Sequence, residues 1–390
     1  MKEKGSNKFK IFPSRNHFWF LCIFLVSVTV AFFLAPDFFS SNISYKHSDA
    51  DTEKSITERV KEVFKTEIPP LDTVAYDAKI LALANNPAPK GPTTKTIKDP
   101  KTGVVTTVEV PAPPVPHYAW PVKTPYPKAG AILPFNRILA YYGNLYSTKM
   151  GVLGEYPEAE MFARLEVETK KWEKADPSTP VVKALHYIVV TAQGSAGADG
   201  KYRFRMPDKE IDKVLVMAEK INAIVFLDIQ VGLSTIQAEV PKFEKYWKLP
   251  NVHMGIDPEF SMKTGAKPGK VVGTYDAVDM NYAIDYMAKL VKEYDLPPKV
   301  LVIHRYTQKM LTNYQNIKTV PEVQVVIHMD GWGGAAKKMN TYKQFVYKEP
   351  VQFAGFKLFY KNDIFEKGTV IMSPEQLLKL NPIPSYIQYQ

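Results

Sequence analysis

From Ala131 onward the chain is punctuated by eight short apolar runs, most of which end on a polar or ionisable residue. They are "RILAYYG" (137–143), "LHYIVVTA" (185–192), "AIVFLDIQ" (223–230), "VHMGIDPEF" (252–260), "KVVGTYDA" (270–277), "KVLVIHRY" (299–306), "VQVVIHMDG" (323–331) and "FAGFKLFY" (353–360). Near-continuous apolar runs of this length are what strands buried on both faces require. Helix-period stretches lie between several of them: "EAEMFARLEVETKKWEK", "DKEIDKVLVMAEKI" and "AVDMNYAIDYMAKLVKEY". In the last, Met280, Ile284, Met287, Leu290 and Val291 fall on one helical face. Alternating strand and helix builds a parallel sheet, and eight strands predict an α/β fold, a (β/α)8 TIM-like barrel over 131–390. Only "SMKTGAKPG" separates the fourth and fifth runs, too little for a good helix, so a doubly wound open sheet is the alternative.

The first 130 residues read differently. Lys2, Lys4, Lys8, Lys10 and Arg15 precede the uncharged "FWFLCIFLVSVTVAFFLAP", Phe18 to Pro36. At ~1.5 Å per residue this run can span a hydrocarbon core of ~30 Å. Basic residues ahead of it favour a cytoplasmic tail (1–16), a signal-anchor (17–39) and an extracytoplasmic remainder, so the membrane is an expected partner and the cell membrane the expected location. A cleaved signal peptide is the competing reading, but "AFFLAPDFF" lacks the usual small-x-small site. Cys22 is the only cysteine, which excludes structural disulfides. Part of the net charge of +10 crowds the tip, where only Glu3 opposes the five basic residues; the rest is diluted over the chain, and no Lys/Arg run in the body calls for nucleic acid. Residues 40–130 read as a stalk. Ile56, Val60, Val63 and Phe64 have helical spacing, "TTKTIKDPKTGVVTTVEV" alternates around a turn as a small hairpin does, and "PAPPVPHYAWPVKTPYPKAG" is proline-rich and stiff. A ligand for a proline-recognising module is the other reading of that last segment.

In a barrel of this kind the working face lies at the carboxyl ends of the strands. Asp257, Glu259, Asp228 and Asp330 stand there and are the candidate catalytic carboxyls. Tyr142, Asn144, Gln193, Gln230, Asp276, His304, His328, Trp332, Lys357 and Tyr360 are the candidate substrate-binding residues. Residues two apart on a strand share a face, so Asp257 and Glu259 are expected to look toward one mouth, as are His328 and Asp330. Structural roles compete for several. Asp276 precedes a helix and can cap it, the Asp-Gly of "MDGWGG" is a turn signal, and His304 and His328 can be satisfied core histidines. Buried acids with apolar neighbours, such as Asp228 and Asp257, are the hardest to explain without function.

The run ends "YYGN", "FLDIQVG", "GIDPEF", "VIHRY" and "HMDGWG" resemble those of the TIM-barrel glycoside hydrolases, in particular uncharacterised bacterial extracytoplasmic barrel proteins placed near them. The resemblance covers Ala131 to Gln390. It implies two carboxyl groups acting on a polysaccharide or cell-wall glycan without a cofactor or metal. The chain departs from the common retaining pattern of glutamates ending strands four and seven, because Asp330 ends the seventh run. A metal-dependent deacetylase or phosphodiesterase using His304, His328, Asp228, Asp257 and Asp330 is a second class, although no His-x-His spacing supports it. A barrel that binds glycan or protein without chemistry is a third. No P-loop, dinucleotide fingerprint, nucleophile elbow or zinc-finger spacing is present.

Overall fold

The computed structural model describes residues 69–390, and within it eight parallel strands close into a barrel. They are β1 (Arg137–Gly143), β2 (Val181–Ala192), β3 (Ile224–Ile229), β4 (Val252–Ile256), β5 (Lys299–Arg305), β6 (Val323–Met329), β7 (Phe353–Leu358) and β8 (Tyr386–Tyr389). β1 pairs with both β8 and β2, so the sheet has no open end and the doubly wound alternative is excluded.

Two expectations about the strands are corrected. "KVVGTYDA" is not a barrel strand. Only Tyr275–Asp276 is extended there, and it pairs with Leu311–Thr312 in a separate two-stranded piece, while Val271 and Val272 face solvent. The eighth strand is instead "YIQY", four residues long, so the run at 353–360 is the seventh strand and Asp330 follows the sixth. With that reassignment the short link disappears, because β4 connects to β5 through a loop and a full helix, Ala277–Glu293.

Helices form where apolar spacing gives them a face to bury against the strands. α1 (Thr73–Ala84) precedes the barrel. α2 (Glu158–Ala175) buries Met161, Leu165 and Trp172, and α3 (Asp208–Lys220) buries Ile211, Val214, Leu215 and Ala218. α4 (Ala277–Glu293) buries Met280, Ile284, Met287, Leu290 and Val291. Its start is fixed by a capping box in which Asp276 and Asp279 satisfy backbone donors. α5 (Ala335–Tyr342) runs into a π turn at Lys343–Tyr347.

The hairpin lies as expected, Thr93–Lys98 against Val105–Val110, and every residue of both strands is exposed. Its flanks belong to the barrel floor. Leu133 plugs the amino-terminal end, its N–H and C=O both held by the Gln324 amide at 3.1 and 2.6 Å. Burying such a leucine stabilises by about 1.5–3 kcal/mol. Ile80 of α1 and Ile132 pack on the same interior cluster, and Leu83 C=O accepts from Ile383 N–H at 2.8 Å. The basic tail, the apolar run and the helix expected over Ile56–Phe64 lie outside the described residues. Among the described residues no helix is long and apolar enough to cross a membrane.

Candidate active site

Strand period two sends every second side chain into the barrel. The lower interior is apolar: Ile138, Ala184, Ile224, Val300 and Phe353 pack together. The upper interior is polar. Tyr142, His186, Asp228, Asp257, His304, His328, Lys357 and Gln388 come from all eight strands or their ends, and all are buried. Glycines make room for them. A β-carbon on Gly355 would lie 2.7 Å from His328 Nδ1, and one on Gly255 would overlap His186 and Asp228.

The charged groups form a chain. His304 Nδ1 lies 2.8 Å from Asp330 Oδ2, and its Nε2 lies 3.4 Å from Asp228 Oδ1. Lys357 Nζ reaches Asp330 Oδ1 at 2.9 Å and stands over the Tyr142 ring, 4.1 Å from its centroid. Tyr142 donates to Asp228 Oδ2 at 2.9 Å, and His186 Nε2 approaches Asp228 Oδ1 at 3.3 Å. His186 Nδ1 faces the Tyr386 hydroxyl at 2.6 Å and the Gln388 amide nitrogen at 3.1 Å. Two donors there make Nδ1 an acceptor, which leaves the His186 proton on Nε2, toward Asp228.

Burial and charge then sort the protonation states. Burial opposes a charge on His304, but Asp228 and Asp330 outweigh it and push the imidazole up to about 10. Burial takes His186 down to about 4, so it stays neutral. For Asp228, burial is overcome by the His304 charge and the histidine hydrogen bonds, which hold it well below the usual carboxylate range. Asp330 is held low against burial by Lys357 and His304. Asp257 goes the other way: burial pushes it well above the carboxylate range, His304 opposes, and the neighbouring acids Glu259, Asp330 and Asp228 add to the rise. Glu259 is raised by burial and by Asp330, against a hydrogen bond from Tyr306. Two carboxylates and two cations alternate in the floor, with two acids of raised pKa, Asp257 and Glu259, beside them.

Above this floor is an open cavity of about 550 Å³. Tyr142, Gln230, Asp257, Glu259, Asp330, Trp332 and Lys357 line it. Asp228, His304 and His328 lie beneath. Asp257 Oδ1 also accepts from Glu259 N–H at 3.0 Å, capping the turn Pro258–Phe260, and its Oδ2 accepts from Gln230 at 3.3 Å.

Besides Asp228, His304 and His328 beneath it, four expected residues do not reach the cavity. Asn144 is buried and bonds backbone, donating to Ile188 C=O at 2.9 Å and accepting from Tyr146 N–H at 2.8 Å. Gln193 sits where β2 runs into the following loop, its N–H bonded to Tyr202 C=O. Asp276 caps α4 and accepts from Thr312 and Asn313. Tyr360 points outward, bonded to Tyr141 at 3.1 Å and stacked on Tyr389. Conversely, the reading from strand ends overlooked His186, Tyr386 and Gln388, and among the cavity walls Lys149, Met150, Phe260, Lys337, Thr341 and Gln390. A period-two count along "LHYIVVTA" places His186 inward and is the signal that finds it.

Among the described residues two trios present ligand atoms at metal-binding separation, each set within 4.8 Å: His186, Asp228 and His304; and Asp257, His304 and Asp330. The first is accounted for by its own contacts, since both Nε2 atoms face one Asp228 oxygen. Two members of the second, Asp257 and Asp330, line the cavity. No protein-family model and no curated protein matches this chain.

Proposed function

We propose that the barrel is a glycan-cleaving hydrolase in which Asp257 is the general acid and Asp330 the nucleophile. One observation carries the reading: oxygens of these two carboxyls lie within 4.8 Å of each other on the cavity floor, while their surroundings drive their protonation apart. Retaining glycosidases hold their two carboxyls about 5–5.5 Å apart, one protonated and one ionised. Asp257 delivers its proton to the glycosidic oxygen as that bond breaks. Asp330 Oδ attacks the anomeric carbon and forms a glycosyl ester. Asp257, now ionised, takes a proton from water, which displaces Asp330 and restores both groups. His304 and Lys357 hold Asp330 ionised and aimed, and Trp332 offers an exposed face to a sugar ring. The reading places the barrel outside the cytoplasm, behind the apolar run 18–36, where envelope glycans are met.

The test is a screen of cell-wall and capsular glycans, followed by Asp257→Asn and Asp330→Asn on any glycan cleaved. Each should lower kcat by at least ~10²-fold, with a sugar adduct on Asp330 detectable by mass spectrometry when an activated fluoro-sugar is supplied. Undiminished cleavage by either variant overturns the assignment.

A second reading, metal-dependent hydrolysis, is favoured by the trio Asp257, His304 and Asp330, whose two carboxyls line the cavity above His304. It requires His304 to give up the proton it shares with Asp330. Activity that vanishes with a chelator and returns with a divalent cation would select it.

A further inference from the structure

The rim of the cavity carries two lysines that the reading above does not use. Lys149 and Lys337 both line it. Among the described residues neither has a carboxylate within ion-pair distance, whereas the deeper Lys357 is matched by Asp330 at 2.9 Å.

Lys337 is placed by structure around it. Its Nζ lies 4.4 Å from the centre of the Trp332 ring. The intervening Gly333 has φ +125, a backbone conformation that favours glycine, and a β-carbon there would lie 2.9 Å from Lys337 Cδ, so the lysine chain lies close over this loop. Gly333 N–H donates to Asp363 Oδ1 at 3.0 Å, and Lys338, next after Lys337, donates to Asp363 Oδ2 at 2.6 Å from a fully buried position. One buried carboxylate thus ties down both the loop that bears Trp332 and the helix that bears Lys337. Preorganisation of this kind lowers the ordering cost of using a long side chain for recognition.

The charge balance points the same way. In the floor Asp228 and Asp330 are matched by His304 and Lys357, and burial raises both mouth acids, Asp257 and Glu259. The rim ammoniums add unpaired positive charge above that paired floor, and a cavity walled by low dielectric focuses their field on whatever enters.

We infer that the substrate is an acidic glycan, its ring against Trp332 and its anionic group, a carboxylate, sulfate or phosphate, met by Lys337 and Lys149. This deepens the hydrolase reading and rests on it for the sugar. The Trp332–Lys337 pair supplies an aromatic face and a cation side by side, the combination an anionic ring needs and a neutral one uses only by half.

The experiment measures binding and cleavage separately. The full chain, in detergent, is presented with neutral, uronate-bearing, sulfated and phosphorylated oligosaccharides at low and high salt. Acidic glycans should bind, the strongest class naming the anion, and binding should weaken with salt. Lys149→Met with Lys337→Met should cost ~10-fold in affinity, with thermal unfolding reporting that the double variant still folds. Equal affinity for neutral and acidic glycans, absence of acidic binding, or a double variant that binds as well as the parent would each overturn the inference. Acidic glycans bound but never cleaved would uphold it and defeat the hydrolase reading. Cleavage of neutral glycans alone would do the reverse.

Discussion

Gly255 and Asp228 are register partners on adjacent strands, and the space where a Gly255 side chain would stand is filled by the Asp228 carboxylate and the His186 ring. A β-carbon there would lie only 2.7 Å from His186 Cε1. The glycine is therefore part of the site, although it has no chemistry of its own. Gly255→Ala forces His186 or Asp228 out of place, and overpacking a filled interior costs about 1–3 kcal/mol. Urea unfolding should show that loss, with activity lost beyond it. Gly194→Ala, where the added carbon meets nothing within 4 Å, serves as the control and should stay within about 0.5 kcal/mol of the parent.

His304 makes the barrel sensitive to base. Its folded value of about 10 exceeds the ordinary 6.5, so the folded state binds the extra proton between those values. The stabilisation is complete below the lower value and is lost as pH rises through the upper one. Lys299 and Lys338, depressed by burial to about 7 and about 8, slope in the opposite sense, so the parent curve is a composite. The difference between the parent and His304→Gln isolates the histidine: it should be largest near pH 6 and shrink toward pH 10. Near pH 6 the substitution should cost about 3–5 kcal/mol, because it strands two buried carboxylates. A difference independent of pH would refute the charged histidine.

How much of this was legible in the sequence follows from where each group sits along its strand. Seven of the barrel strands announce themselves as apolar runs, because both faces are covered. The eighth, "YIQY", is only four residues long and carries Gln388 inward, so it lacks that signal. "KVVGTYDA" has the signal without the strand, its valines exposed on a loop. Acids at strand ends were readable because the chain must turn polar where it meets the cavity. His186 escapes a reading of strand ends, because the site extends below the mouth into the barrel interior, and only the period-two count along its run recovers it. Asp276 was readable in both roles, and the capping box decides for the structural one. The rim lysines carry no sequence signal, since their placement depends on the fold of Gly333 and on Asp363.

Closure by the short last strand is a prediction of its own. Tyr386–Tyr389 pairs with β7 on one side and β1 on the other. A chain stopped after Ser385 loses both ladders and the Tyr386 and Gln388 contacts to His186. It should unfold without a cooperative transition and expose two strand edges, seen as concentration-dependent aggregation. A cooperative transition with the parent midpoint would show that the barrel does not need this strand.

The last prediction sets stability against chemistry at one residue. Burial raises Asp257 well above the ordinary 3.8, so between that value and its folded one the folded state holds a proton that the unfolded chain releases. Folding therefore becomes less favourable as pH rises across the window, the reverse of the paired acids Asp228 and Asp330, whose contribution is present above the ordinary value and is lost as pH falls. Asp257→Asn keeps an oxygen to accept from Glu259 N–H and removes the ionisable group. At pH 3, where both states hold the proton, the substitution should be close to neutral. At pH 7 the variant should be more stable than the parent, because the fold no longer has to hold a proton that the unfolded chain releases. Activity should fall by at least ~10²-fold in the same variant. A residue that destabilises its fold at working pH and is required for turnover is a functional acid. If Asp257→Asn destabilises at pH 7, the carboxyl is there for the Pro258–Phe260 turn that it caps.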